Sequence, residues 1–275
     1  MEPVLPKHLK HFPTVNGFLH PQILQTLLQQ YPLLPAVCEK LRQLLDTHFP
    51  DGLPNEFGWA HLYRHHPLQL FPLLMQSMPQ LPALMAQFAA KHDPNLAVAR
   101  ATDLSDVDGM VGDAVMMPPE NKDVLMVRIA ELHGMVRVLS RHLHSMAIHG
   151  DNMAVLLHHA EIHQRDDALF KALRLDPVIA QLPFVEQRYR QAETCKDEDF
   201  LSEYYSAQRY DREQRMAAFS SLDKLRLVCS VLNDWPGLNT KTTSEVMAYL
   251  RDDVGLDIYP GNDDTFRKHL NTLLR

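Results

Sequence analysis

Seven of the sixteen histidines fall between residues 133 and 163: His133, His142, His144, His149, His158, His159 and His163. Neutral imidazole ligates zinc or iron, moves protons in catalysis and titrates near neutral pH. On a helix, His159 and His163 stand four residues apart and share a face, with Glu161 between them in sequence. His142 lies before Gly150 by about as many residues as His159 lies after it. An antiparallel hairpin turning at Gly150 therefore brings them to one level, at about 1.5 Å of rise per residue. His142, His159, His163 and Glu161 form the candidate metal set, with zinc or iron as the ion. Di-iron bundles use Glu-x-x-His pairs, and Glu131-Leu132-His133 and Glu161-Ile162-His163 are each one residue short of that spacing. Eight more histidines lie in residues 1–95. A hydrogen-bonded structural or surface cluster, or a pH-sensitive contact, fits the same residues.

Cationic groups make the second set. His133, Arg137, Arg141 and His144 form a stripe suited to an acidic group or a phosphate, although a solvated helix face explains it as well. Tyr204, Tyr205, Arg209, Tyr210, Arg212 and Arg215 interleave aromatic and guanidinium groups, a composition that stacks on bases or anchors a protein. Arg267, Lys268 and His269 sit in the last helix, TFRKHLNTLLR, opened by Asp263 or Asp264 as the cap. With the helix through Leu222, Leu225, Val228, Cys229 and Leu232, and a second one, SEVMAYLRDD, capped by Thr242 or Thr243, this end of the chain is similar in outline to a helix-turn-helix module. Three features oppose DNA reading. The connection from Asp252 to Asn262 exceeds the usual turn, acidic residues outnumber basic ones in the module, and Asp263 and Asp264 stand where phosphates would approach.

A third set is apolar. Residues 1–95 hold 12 of the 61 charged residues and 13 of the 19 prolines, and His65 to Ala90 contains no Asp, Glu, Lys or Arg. Charge depletion with Met and aromatic enrichment marks an interface centre, so Phe71, Met75, Met78, Met85 and Phe88 are the candidate partner-binding residues. The prolines cut these stretches into pieces near ten residues, too short to span a bilayer.

No Gly-rich phosphate loop, GxSxG elbow, HExxH or CxxC occurs. The net charge of −7 opposes binding of nucleic acid by the whole surface. Cys38, Cys195 and Cys229 are odd in number and widely spaced, which indicates a reducing compartment and a cytoplasmic location.

The elements that position these groups are helices. Proline-bounded helices are expected near 21–31, 35–48, 54–64, 67–78 and 82–92. Leu125, Ile129, Leu132, Val136, Leu139, Leu143 and Met146 make a seam of period 3.5 in a long helix from Lys122. Asp151 or Asn152 then opens a second helix that continues to Leu173. Only Gly255–Tyr259 offers a strand. The expected fold is all-α: helical bundles with a central antiparallel hairpin and a small C-terminal three-helix module. The expected parts are a charge-poor bundle (1–95), a linker (96–121), the hairpin and following helices (122–218) and the terminal module (219–275). The expected function is non-enzymatic: protein–protein interaction with a partner or a second copy, or a regulatory subunit. DNA regulation through Arg267, Lys268 and His269 is the first alternative, and a metal-dependent enzyme at the His142–His163 cluster the second.

Overall fold

The computed structural model describes residues 7–48, 56–70, 119–209 and 219–274. The chain is all-α: among the described residues a single two-stranded sheet accompanies the helices. In order these are β1 (Thr14–Val15), β2 (Phe18–Leu19), α1 (Pro21–Gln30), α2 (Leu34–His48), α3 (Pro119–His149), α4 (Met153–Ile162), α5 (Asp166–Leu175), α6 (Pro183–Cys195), α7 (Glu198–Gln208), α8 (Ser221–Asn233), α9 (Thr243–Asp252) and α10 (Asp263–Leu273). Prolines open α1, α3 and α6, because a first helical residue has no intrahelical use for its N–H. Tighter 3₁₀ segments run at Tyr31–Leu33, Glu56–Arg64, Pro177–Gln181 and Pro236–Thr240. Among the described residues no helix is long and apolar enough to cross a membrane.

Two expectations about elements are corrected, and a third, the central hairpin, is not confirmed. Gly255–Tyr259 is not a strand; the sheet is the antiparallel hairpin pairing Thr14 with Leu19 and Val15 with Phe18. Its turn residues Asn16 and Gly17 have φ of +52° and +75°, which a tight two-residue hairpin turn requires and which Asn-Gly supplies at low cost. Second, α4 stops at Ile162 rather than running to Leu173, with Gln164 at φ +52° before α5 begins. Third, α3 ends at His149 with Gly150 at φ +77°, yet α4 packs chiefly on α5 and the Glu56–Arg64 segment. The hairpin arrangement is thus not the main packing of α4.

The chain packs as two compact units. The first comprises residues 7–29, 143–152 and 219–274, and the second residues 30–48, 56–70, 119–142 and 153–209. In the first, Leu24, Leu225, Val228, Leu232, Leu250, Phe266 and Leu270 are fully enclosed around one apolar cluster. Phe18 stacks on Tyr249 with centroids 4.5 Å apart, and the Tyr249 hydroxyl donates to the Leu19 carbonyl at 2.7 Å. The β-hairpin is thereby fixed to α9. In the second unit, Met153, Leu157, Leu169, Leu173, Ile179 and Val185 form the interior where α4, α5 and the start of α6 meet.

Candidate functional site

The second unit encloses polar groups. Helix α3 carries a glycine at position 134, and a Cβ there would lie 2.7 Å from the Trp59 ring, so the indole packs on bare backbone. One turn on, the Glu56–Arg64 segment supplies Tyr63, whose hydroxyl donates to Asp176 Oδ2 at 2.7 Å. The Arg137 guanidinium reaches both oxygens of Asp176 at 3.3 Å, and the Val178 N–H donates to Oδ1 at 3.1 Å. Asp176 is 1% exposed, and a buried carboxylate persists only with such partners. Burial first, then the neighbouring Asp176 charge, pushes the Tyr63 hydroxyl well above its ordinary value, so it stays a donor. These bonds occupy the carboxylate from three directions and make it a structural anchor.

His142 lies against this anchor, its ring 5.7 Å from that of Tyr63. It is completely enclosed, and among the described residues neither ring nitrogen has a hydrogen-bond partner. Burial, reinforced by the charges of His66 and His65, pushes its pKa down to about 3, so the imidazole is neutral. His133 is also buried, beside Trp59, and burial followed by the Arg137 charge lowers it to about 4.

Of the candidate metal set, His159 and His163 come together, with ring centroids 5.4 Å apart, and His158 lies 5.5 Å from His163. Glu161 is ion-paired with Arg64 at 2.9 Å. Among the described residues, neither unit gathers three His, Cys, Asp or Glu ligand atoms closely enough to share an ion. The structure does not assemble His142 with His159, His163 and Glu161 as a ligand set.

The basic stripe faces inward rather than into solvent. His133 and His144 are buried, and the acidic group that Arg137 receives is the chain's own Asp176. The apolar seam is correspondingly displaced: Leu139 is 37% exposed, whereas Val138 is buried. Indole on glycine and carboxylate on guanidinium turn the polar face of α3 toward its neighbours. The aromatic and guanidinium groups of α6 and α7 are likewise satisfied internally. Arg188 bridges Asp166 at 2.7 Å and Asp197 at 3.0 Å and stands 4.0 Å over Phe200. Tyr204 is buried, and the Tyr189 and Tyr205 hydroxyls meet at 2.6 Å. Phe71, Met75, Met78, Met85 and Phe88 lie outside the described residues, as do Tyr210, Arg212 and Arg215.

In the first unit the charges of α10 lie on the surface, whereas Asp223 of α8 is buried. Phe266 and Leu270 anchor α10 in the core, which leaves Asp264, Arg267, Lys268, Asn271 and Thr272 exposed on the opposite face. His269 instead stacks parallel on Tyr259 of the connection between α9 and α10, with ring centroids 5.3 Å apart. That connection is packed, with Val254 and Leu256 in the core, so α9 and α10 contact each other directly despite its length. The helix cap is Asn262, whose side chain accepts from the Thr265 N–H at 3.1 Å, and not Asp263 or Asp264. Asp263 is held by Arg251 at 2.5 Å, and the same guanidinium meets Asp257 at 3.4 Å. Glu245 and Asp223 close capping boxes with Thr242 and Ser220. Much of the module's acidity is thus committed to helix ends and ion pairs.

Sequence reasoning missed Tyr63 and Asp176, which lie 113 positions apart and carry no spacing signal. It also passed over Lys241, which lies over Phe18, although Asn16-Gly17 was a readable hairpin signal. No protein-family model, curated protein or solved structure matches this chain.

Proposed function

We propose that this is a non-enzymatic regulatory protein whose first unit reads duplex DNA through α10. The observation that carries the reading is the exposed face of α10: Arg267, Lys268, Asn271 and Thr272 point outward together while Phe266 and Leu270 fix the helix beneath. Arg presents the planar fork that matches guanine O6 and N7, and an Asn amide matches adenine. Lys268 supplies a compact charge for a phosphate.

Two of the features that oppose this reading lose force. The long connection does not separate α9 from α10, because Val254, Leu256 and Tyr259 pack it down. Asp263 is neutralised by Arg251. Asp264 remains at the start of the helix and weakens non-specific affinity, which favours a site chosen by base contacts over binding to any phosphate backbone. Nothing in the second unit's polar interior adds a reaction to this, since the Asp176 oxygens are occupied by Tyr63, Arg137 and Val178.

The test is fluorescence anisotropy of a labelled mixed-sequence duplex with the full chain, titrated across salt. Binding at about 50 mM salt that weakens log-linearly as salt rises supports the reading. Arg267→Ala is expected to cost about 1–3 kcal/mol on a selected site. No binding at low salt removes the proposal.

A further inference from the structure

We infer that the DNA-facing surface does not end at α10 but continues across the start of α9 to the turn of the β-hairpin, where Lys241 engages a backbone phosphate beside the groove. The inference rests on the DNA reading above and adds a second element to it.

The argument is one of continuity. Thr243, in the first turn of α9, donates from Oγ1 to the Asn271 side-chain oxygen at 2.7 Å. Asn271 belongs to the exposed face of α10, and accepting this bond leaves its NH₂ to donate outward. Two residues before Thr243, the Lys241 ammonium stands 4.4 Å from the Phe18 ring centroid, and a Cβ on Gly17 would lie 3.0 Å from its Nζ. Phe18 is itself stacked on Tyr249 of α9. Residues 16–18, 241–243 and 267–272 therefore form one contiguous strip, joined by the Lys241–Gly17, Lys241–Phe18 and Thr243–Asn271 contacts.

The strip has the chemistry of a phosphate contact. Lys241 at its hairpin end and Arg267 and Lys268 on α10 provide like charge at both ends. Thr14 and Asn16 on the hairpin are exposed, and neither is a carboxylate. The acidic member is Glu245, whose carboxylate accepts from the Thr242 N–H and hydroxyl, both at 2.7 Å, and so is turned onto its own helix end. A lysine held over an aromatic ring keeps its charge at a fixed place while the ammonium still faces water. Duplex DNA is the occupant that matches: a groove surface for α10 and a row of phosphates beside it.

The experiment is the salt titration of the full chain on the mixed-sequence duplex, with Lys241→Gln, Lys241→Arg, Val15→Lys and Arg267→Ala compared. Val15 is 41% exposed on the hairpin, so the added lysine disturbs no core. Lys241→Gln is expected to weaken binding roughly 3- to 10-fold and to lower the salt slope by about one, while Lys241→Arg keeps both. Val15→Lys is expected to tighten binding and steepen the slope, and it keeps the test decisive if Lys241→Gln loosens the hairpin. If wild type binds and Arg267→Ala weakens it, yet Lys241→Gln and Val15→Lys leave affinity and slope unchanged, this inference is overturned and the DNA reading stands. If wild type does not bind at low salt, both fall.

Discussion

The two units handle charge in opposite ways. In the second, ionisable groups meet in the interior, far apart in sequence: Tyr63, Arg137 and Asp176 bond to one another, with the enclosed His142 against them. In the first, polar groups serve the ends of helices, their own or a neighbour's. Asp223 and Glu245 close capping boxes, the Asn233 amide donates to the Leu273 carbonyl, and Arg251 gathers Asp257 and Asp263. A buried network is already satisfied, so it specifies structure; a surface whose carboxylates are committed locally leaves its cations to meet something else. Each unit also carries one tryptophan against a glycine, Trp59 on Gly134 and Trp235 on Gly237, so fluorescence of Trp235→Phe or Trp59→Phe variants reads the units separately.

The largest effect is expected at Asp176. Asp176→Ala leaves Arg137 without its carboxylate and Tyr63 without its acceptor, and costs about 3–5 kcal/mol of stability. Urea unfolding followed at Trp59 in a Trp235→Phe background measures it. An equal loss at Trp235 would break the comparison, because the network would then be holding both units.

Acid gives the next largest. His142 takes up a proton near pH 3 when folded and near its ordinary 6.5 when unfolded. Below 6.5 the unfolded chain binds a proton that the folded unit does not, so stability falls as pH drops from about 6.5 towards 3. By pH 4 this single group removes about 3 kcal/mol. His133, lowered to about 4, acts in the same direction. The Trp59 transition should shift to lower urea between pH 6.5 and 4, and His142→Leu should flatten that dependence. A flat wild-type profile would mean that His142 is open to solvent.

Gly134→Ala comes next. In an open helix alanine would stabilise by about 1 kcal/mol. Here the added methyl meets the Trp59 ring, and a loss of about 1–3 kcal/mol is expected from overpacking. A gain in thermal stability would show that the indole does not pack on α3. Smaller again is Ser220→Ala, which removes the capping box of α8 and should cost about 1 kcal/mol, read at Trp235 alone. Breaking the exposed Arg190–Glu186 pair with Glu186→Gln should cost under about 0.5 kcal/mol in either readout, since solvent screens it.

The legible and illegible parts of the chain divide by range. Proline starts, the Gly150 stop and the Thr242 cap act within one turn of helix and could be read directly. The all-α class follows from many such local signals together. The seam on α3 misled for a physical reason: period 3.5 marks an apolar stripe, but the partners offered by Trp59, Tyr63 and Asp176 bury the polar face more completely. Histidine spacing was equally ambiguous, because i, i+4 imidazoles share a face whether they hold an ion or meet edge to face, as His159 and His163 do. Arg267 and Lys268 were readable as a basic pair. That Arg251 pairs with Asp263, and that Lys241 lies over Phe18, depends on contacts between elements that no spacing records.

The central claim is that the first unit's surface, and not the second unit's interior, meets the ligand. Amide hydrogen exchange of the full chain with and without the duplex tests it most directly. Added DNA should slow exchange at residues 14–17, 241–243 and 264–272 and leave residues 166–205 unchanged. Slowed exchange confined to α5, α6 and α7, with none on α10, would contradict the account.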